Sequence, residues 1–322
     1  MAQRQSIVRM MKCHRGLDRP LFLCHTNSMK NTHLQHPEDT ILTGDLSVIN
    51  LFYNFNTASV KIDGAPAIVW GTDPATGTKF VGTKSVFNKK KIKINHSHDE
   101  IDINHDGKVA DILHACFDFL PEHPGIIQGD FIGFGGTDTF RPNTITYKFN
   151  RMINHLKIVI APHTMYATDD EMKDAYVIQE ADMEIFEDTE DVVFVQPTVD
   201  WISANTDAPV INTDKVQFMT DAEAADAIKK INACIRDGLE LTDDLLFDIF
   251  GCIYLTNLYQ MVIEMKEDIM DNFILYNCPK AYIGEKQINQ EGFVISGDCG
   301  MMVKLVDRPT FAHANFTLPK TW

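Results

Sequence analysis

From residue 59 to about 165 one strand signal follows another. After residue 215 the apolar residues change from the period of a strand to that of a helix, and strand character returns near the C terminus. The strand-rich part contains "SVKIDGAPAIVWG", "KFVGTKSVF", "GIIQGDFIGFG", "NTITYKF" and "KIVIAPHTMY", separated by Gly, Pro and Asn turns, with "DAYVIQ" and "DVVFVQP" following. Ahead of it, "HPEDTILTGDLSVINLFYNF" reads as a helix leading into the first strand. The segment "TDAEAADAIKKINACIRDG" carries Thr220 as an N-cap, Glu223 three residues on and Gly238 near its end, and the stretch up to Asn277 adds one or two more helices. "EGFVISGD" and "MMVKLVD" restore the strands. The order predicts an α+β protein: one domain over residues 1–322, its β framework interrupted by a helical insertion at about 215–280.

Charge narrows the partners. The formal net charge is −16, so a nucleic-acid surface has to be local, and "NKKKIKINH" supplies one candidate with Lys89, Lys90, Lys91 and Lys93 just after Lys84. The same run reads equally well as a solvated basic loop. Seven cysteines stand singly at 13, 24, 116, 234, 252, 278 and 299 without a CxxC pair, the pattern of reduced packing thiols. There is no apolar run of eighteen residues and no apolar stretch near the start long enough for a secretory signal, which gives the expectation of a cytoplasmic protein with no membrane partner.

Lys61, flanked by apolar residues and followed by Asp63 and Gly64, has two readings. One is an outward-facing edge-strand lysine. In the other, desolvation lowers its pKa and frees an amine nucleophile. Asp63 opposes the second reading by raising that pKa, so a nucleophilic Lys61 needs further positive charge nearby. Other candidates are Asp130, in a strand ending among glycines, Glu291, which opens a strand, and Lys304, apolar on both sides. Each has an ordinary structural reading; their order along the chain is the less common feature.

That ordered set resembles the covalent nucleotidyltransferase superfamily of nucleic-acid ligases and capping enzymes. The chain looks most like ligase-like phage proteins with a Lys-x-Asp-Gly-Ala-Pro-Ala signature, through "HPEDTIL", "KIDGAPAIVWG", "FVGTKSVFNK", "IIQGDFIGF", "FRPNTITY", "IVIAPHTMY", "EGFVI" and "MMVKLVD". The resemblance implies antiparallel sheets flanking a nucleotide cleft, with ATP and Mg²⁺ or Mn²⁺ as cofactors. Lys61 would attack the α-phosphate and carry AMP as a phosphoramidate, then pass it to a 5′-phosphate. Asp63, Glu291 and Lys304 would complete the catalytic set. Val60, Ile62, Gly64, Lys84, Asp130, Tyr147 and Phe149 would form the nucleotide site, with Tyr147 or Phe149 stacking on the adenine and Glu291 and Asp130 holding the metal. RNA is the expected strand, met through the Lys84–Lys93 patch, and a phage-infected cell the expected setting. The alternative is a phage accessory or nucleotide-binding protein that keeps the fold without ligating.

Departures from the pattern refine this. Pro66 stands where many DNA ligases have arginine, Ser59 where a glutamate often reads the adenine amino group, and Met302 where a second lysine is common. Only 18 residues follow Lys304, too few for an OB domain, so the likeness leans to the RNA-ligase branch.

One motif competes. "DINHDGKVADIL" sets Asp102, Asn104, Asp106 and Gly107 at EF-hand positions, but Leu113 replaces the closing glutamate, and a polar turn capping a helix is the better reading. His96, His98 and His105 have spacing unsuited to a zinc site on one helix face.

Overall fold

A computed structural model describes residues 34–168, 171–178, 186–202, 208–297 and 301–318; the basic opening segment and Cys13, Cys24 and Cys299 lie outside the described residues. The architecture is α+β with antiparallel sheets. The largest sheet runs in the order Lys79–Thr83, Ala67–Thr72, Ile126–Phe134, Ile158–Ala167, Tyr176–Val177. These neighbours are all antiparallel, while Val192–Phe194 joins Ile158–Ala167 in parallel. "AIVWG" shows no polar alternation because both faces of this sheet are covered. Ile68 and Trp70 pack with Leu113 and Cys116 of helix Gly107–Phe119, whereas Val69 faces Phe80, Val86 and Tyr166 on the other side. Full burial of side chains of this kind contributes about 1.5–3 kcal/mol each.

A second sheet of three strands, Phe55–Lys61, Gly292–Gly297 and Met302–Val306, brings the N- and C-terminal parts of the chain together. Helix Ser47–Asn54 feeds directly into its first strand and buries Val48, Ile49, Leu51 and Phe52. Two smaller sheets complete the framework: Lys286–Ile288, Lys280–Ile283, Thr146–Lys148, Thr139–Phe140, and the pair Thr198–Asp200 with Ile274–Tyr276.

Three helices, Asp221–Arg236, Asp243–Phe250 and Ile253–Asp271, occupy the segment that interrupts the strands. The first starts at a capping box between Thr220 and Glu223 and buries Ala224, Ala227, Ile231 and Ile235, one face at helical spacing. The third buries Leu255, Leu258, Tyr259, Val262 and, on the same stripe, Lys266. It packs on the short turn Pro37–Thr40, on helix Ser47–Asn54 and on strand Met302–Val306, so the insertion shares one hydrophobic core with the three-stranded sheet.

The EF-hand-like stretch forms neither a calcium loop nor a polar turn that caps the next helix through a side chain. Asp102 and Asn104 lie within helix His98–Asn104, so no ligand arc forms. Asp102 bonds His114 instead, at 2.9 Å, and Asp106 stands at the N-cap of helix Gly107–Phe119. Cys116 and Cys252 are buried, Cys234 and Cys278 half-buried, and all four are free thiols. Among the described residues no helix is long and apolar enough to cross a membrane.

Candidate functional site

Strand alternation decides which neighbours of Lys61 can meet a ligand. Val60 and Ile62 are buried and point into the core, so only their backbone is free to contribute. Lys61 and Asp63 turn to the other face. Lys61 pairs with Gly292, and Lys304 lies across Val294 from Ser59. Residues directly opposite in a ladder share a face, so the register puts Lys61 and Lys304 on the same one. Glu291, immediately before Gly292, reaches the Lys61 amine with both carboxylate oxygens, each 2.6 Å from Nζ. Gly292 permits this junction: its φ is +152°, and a Cβ there would sit 2.1 Å from the Leu305 carbonyl oxygen.

The turn after Lys61 rests on the central sheet. Gly64 N–H donates to Asp130 Oδ2 at 3.3 Å, Ala65 N–H to the Phe131 carbonyl at 2.8 Å, and Phe131 N–H returns a bond to the Pro66 carbonyl at 3.1 Å; the Ala65–Pro66 bond is cis. Asp63 is held twice: its N–H donates to the Tyr147 hydroxyl at 2.7 Å, and Asn143 Nδ2 donates to its Oδ2 at 2.7 Å. Gly64 is required by close approach, since a Cβ would lie 2.6 Å from the Phe131 carbonyl oxygen and 2.9 Å from Asp130 Cβ. Gly64→Ala should therefore cost about 1–3 kcal/mol of stability and push Asp130 away from the Lys61 turn. A thermal melt unchanged from wild type would contradict this.

Electrostatics bind these groups into one unit. Burial is the largest influence on Lys61 and works to lower its pKa, but Glu291, Asp63 and Asp130 outweigh it and leave the amine above the ordinary lysine value. Burial, reinforced by Asp63 and Asp130, pushes Glu291 up to about 7 against the pull of Lys61. Lys304 is lowered, first by burial and then by Lys61 and Arg308. Half-buried, it has no hydrogen-bond or ion-pair partner among the described residues.

Other expected residues fall differently. Tyr147 is fully buried, with its hydroxyl engaged by Asp63, so its ring offers no face to a base and instead fixes the Lys61 turn. Phe149 is half-buried, edge-on to Phe140 with 5.4 Å between centroids. Lys84 directly follows Thr83, the partner of Ile68, and Ala67 pairs with Asp130. Lys84 thus stands at the same end of the sheet as Asp130, two strands or roughly 10 Å across. Lys84, Lys89, Lys90 and Lys91 are exposed, whereas Lys93 Nζ is committed to the Asn104 carbonyl. Among the described residues no three or more His, Cys, Asp or Glu side chains converge as a preformed metal site.

Sequence reasoning missed three contributors: Asn143, which steers Asp63; His163, whose Nε2 is 3.7 Å from Asp130 Oδ1; and His36, directly before the turn Pro37–Thr40. The nearest signal was "FRPNTITY" for Asn143 and "HPED" for His36. An aromatic-lined hollow of about 190 Å³ between Phe52, Phe55, Trp201 and Phe273 opens at the far end of the Lys61 strand, roughly 20 Å from the amine.

A family model described as a family of unknown function, DUF6267, matches residues 31–245 and 250–320. No curated protein and no solved structure matches the chain.

Proposed function

The chain therefore belongs to the DUF6267 family, and from the site rather than from that membership we propose that it is an ATP-dependent nucleotidyltransferase of the polynucleotide-ligase kind, acting on RNA. The observation that carries the reading is the Lys61 amine held by both Glu291 oxygens on one sheet face, with Asp63 and Asp130 in the same field and unpaired Lys304 beside them. In the first step the Lys61 amine, having lost a proton, attacks the α-phosphorus of ATP. A nitrogen–phosphorus bond forms, the bond to the bridging oxygen breaks, and pyrophosphate leaves with that electron pair. AMP then passes to a 5′-phosphate and is displaced by a 3′-hydroxyl. Lys304 supplies charge to the phosphates.

The acidic groups suit a divalent cation. Burial first, then Asp63 and Asp130, raise the Glu291 pKa; Mg²⁺ or Mn²⁺ would relieve the repulsion among the carboxylates, and Glu291 and Asp130 are the residues that would hold it. Such an ion would neutralise phosphate charge. Loss of the Glu291 clamp would return Lys61 toward the lower pKa that its burial favours. The exposed lysines from 84 to 91 would meet the RNA backbone, and the setting proposed with this reading is the cytoplasm of a phage-infected cell.

Incubation of the whole chain with α-labelled ATP and Mg²⁺ or Mn²⁺ should give a protein–AMP adduct; no adduct would reject the reading. The pH dependence has a definite sign. Lys61 works deprotonated and its pKa is raised, so adduct formation should climb from about pH 6 to about pH 9. A rate falling over that range would contradict the assignment.

One observation favours a second reading, a nucleotide-binding accessory protein that does not ligate: the carboxylates around Lys61 hold it as an ammonium, which is no nucleophile. Joining assays on nicked RNA, nicked DNA and single-stranded RNA separate the two, because an accessory protein joins none of them.

A further inference from the structure

His36 precedes the turn Pro37–Thr40, which packs on the strand that carries Lys304 and on helix Ile253–Asp271. Glu38 and Asp39 of that turn point into the protein and take up cations. Lys266 Nζ lies 3.1 Å from Glu38 Oε1, and Arg308 Nη1 lies 2.8 Å from Asp39 Oδ1. The His36 ring takes no part in those pairs. Its Nδ1 is buried without a hydrogen-bond partner, and the nearest carboxylate oxygen, Glu38 Oε1, is 3.8 Å away, too far for a bond. The 18 % of the side chain that remains accessible therefore belongs to other atoms of the residue. Burial first, then Lys304, Arg308, Lys266 and Lys61, keep the imidazole neutral.

Of those four cations three are already matched: Lys266 by Glu38, Arg308 by Asp39 and Lys61 by Glu291. Lys304 is the exception. Lys304 is half-buried without an ion-pair partner, and burial, Lys61 and Arg308 outweigh the pull of Glu291 and Asp39, so the arrangement suits an anion that arrives from outside. A neutral imidazole can turn one N–H toward the same anion that Lys304 attracts, and a ligand with several charged oxygens can accept from both. We infer that His36 is a phosphate-binding residue, which with Lys304 holds the β- and γ-phosphates of the nucleotide and then the departing pyrophosphate. This assignment rests on the nucleotidyltransferase reading for the chemistry but not for the anion site.

Two measurements on the full chain test it. In the first, tripolyphosphate is titrated calorimetrically without metal. Wild type should bind, and His36→Ala and Lys304→Ala should each weaken binding at least about tenfold. Binding that ignores His36, or no binding by wild type, overturns the inference whatever the fate of the ligase reading. In the second, His36→Ala should slow adduct formation by about 10²-fold and ATP–pyrophosphate exchange likewise, while adduct isolated beforehand passes AMP on at the wild-type rate, pyrophosphate having already left. His36→Gln, which keeps an N–H donor at similar reach, should recover much of the first step and covers the case in which alanine disturbs folding. If wild type forms adduct and both variants match it, His36 has no such role and the ligase reading stands. If wild type binds tripolyphosphate through His36 but forms no adduct, the ligase reading falls and the anion site remains.

Discussion

Lys61→Ala leaves no protein-bound AMP after incubation with labelled ATP and Mg²⁺. No other amine can replace it: the phosphoramidate needs a nitrogen on this strand, and Lys304, the other lysine on the same face, stands two residue rows away across the sheet. Lys61→Arg fails as well, because a guanidinium keeps its charge at every working pH and has no lone pair to offer. Both variants should fold, since the Lys61 side chain is 29 % exposed and its loss costs mainly a partly solvated ion pair; in Lys61→Ala, unlike Lys61→Arg, Glu291 is left without its cation. The remaining carboxylate should bind a proton more readily, Lys61 being the largest influence that holds its pKa down. Label retained on Lys61→Ala, mapped by peptide digestion to another residue, would remove the nucleophile and with it the mechanism.

The parts legible in the sequence were those fixed by local rules. Apolar, β-branched and aromatic runs between turn residues, such as "IIQGDFIGF" and "KIVIAPHTMY", became strands Ile126–Phe134 and Ile158–Ala167, and Thr220 with Glu223 formed the capping box. Missed elements lacked such signals. The hairpin Lys280–Ile288 mixes charged residues with a single buried alanine, and helix Arg308–Thr317 has only a weak apolar face. At the site, the motif order nominated Lys61, Asp130, Glu291 and Lys304, but no spacing reveals that Glu291 would reach Lys61 with both oxygens. That contact arises from pairing between residues 230 apart. Tyr147 shows the limit of composition: an aromatic residue in a strand next to the site reads alike whether it stacks on a ligand or supports a turn, and only its burial separates the two.

The helical segment is where sequence said least, and its anchoring yields the other large effect. Lys266 falls on the apolar stripe of helix Ile253–Asp271, one turn after Val262, where the helical period calls for a core residue. Its side chain is 3 % exposed and its partner Glu38 2 %, so the pair sits beyond the reach of solvent screening. Around it Arg308 bonds Asp39, the Tyr259 hydroxyl and Asn232 Oδ1, which joins the Pro37–Thr40 turn to three separate helices. The insertion is thereby fastened to the turn that follows His36 and to the end of the Lys304 strand. Lys266→Met keeps the length of the side chain and removes its charge, leaving Glu38 buried and less compensated. The expected loss is about 3–5 kcal/mol, seen as a fall in melting temperature of about 10 °C. Glu38→Gln combined with Lys266→Met should regain most of that loss, because a neutral amide beside a thioether carries no orphaned charge. Chemical denaturation of wild type, Lys266→Met, Glu38→Gln and the double variant gives the coupling directly. A Lys266→Met protein within about 1 kcal/mol of wild type would mean that Arg308 alone satisfies Glu38, and the pairing described here would not hold the insertion in place.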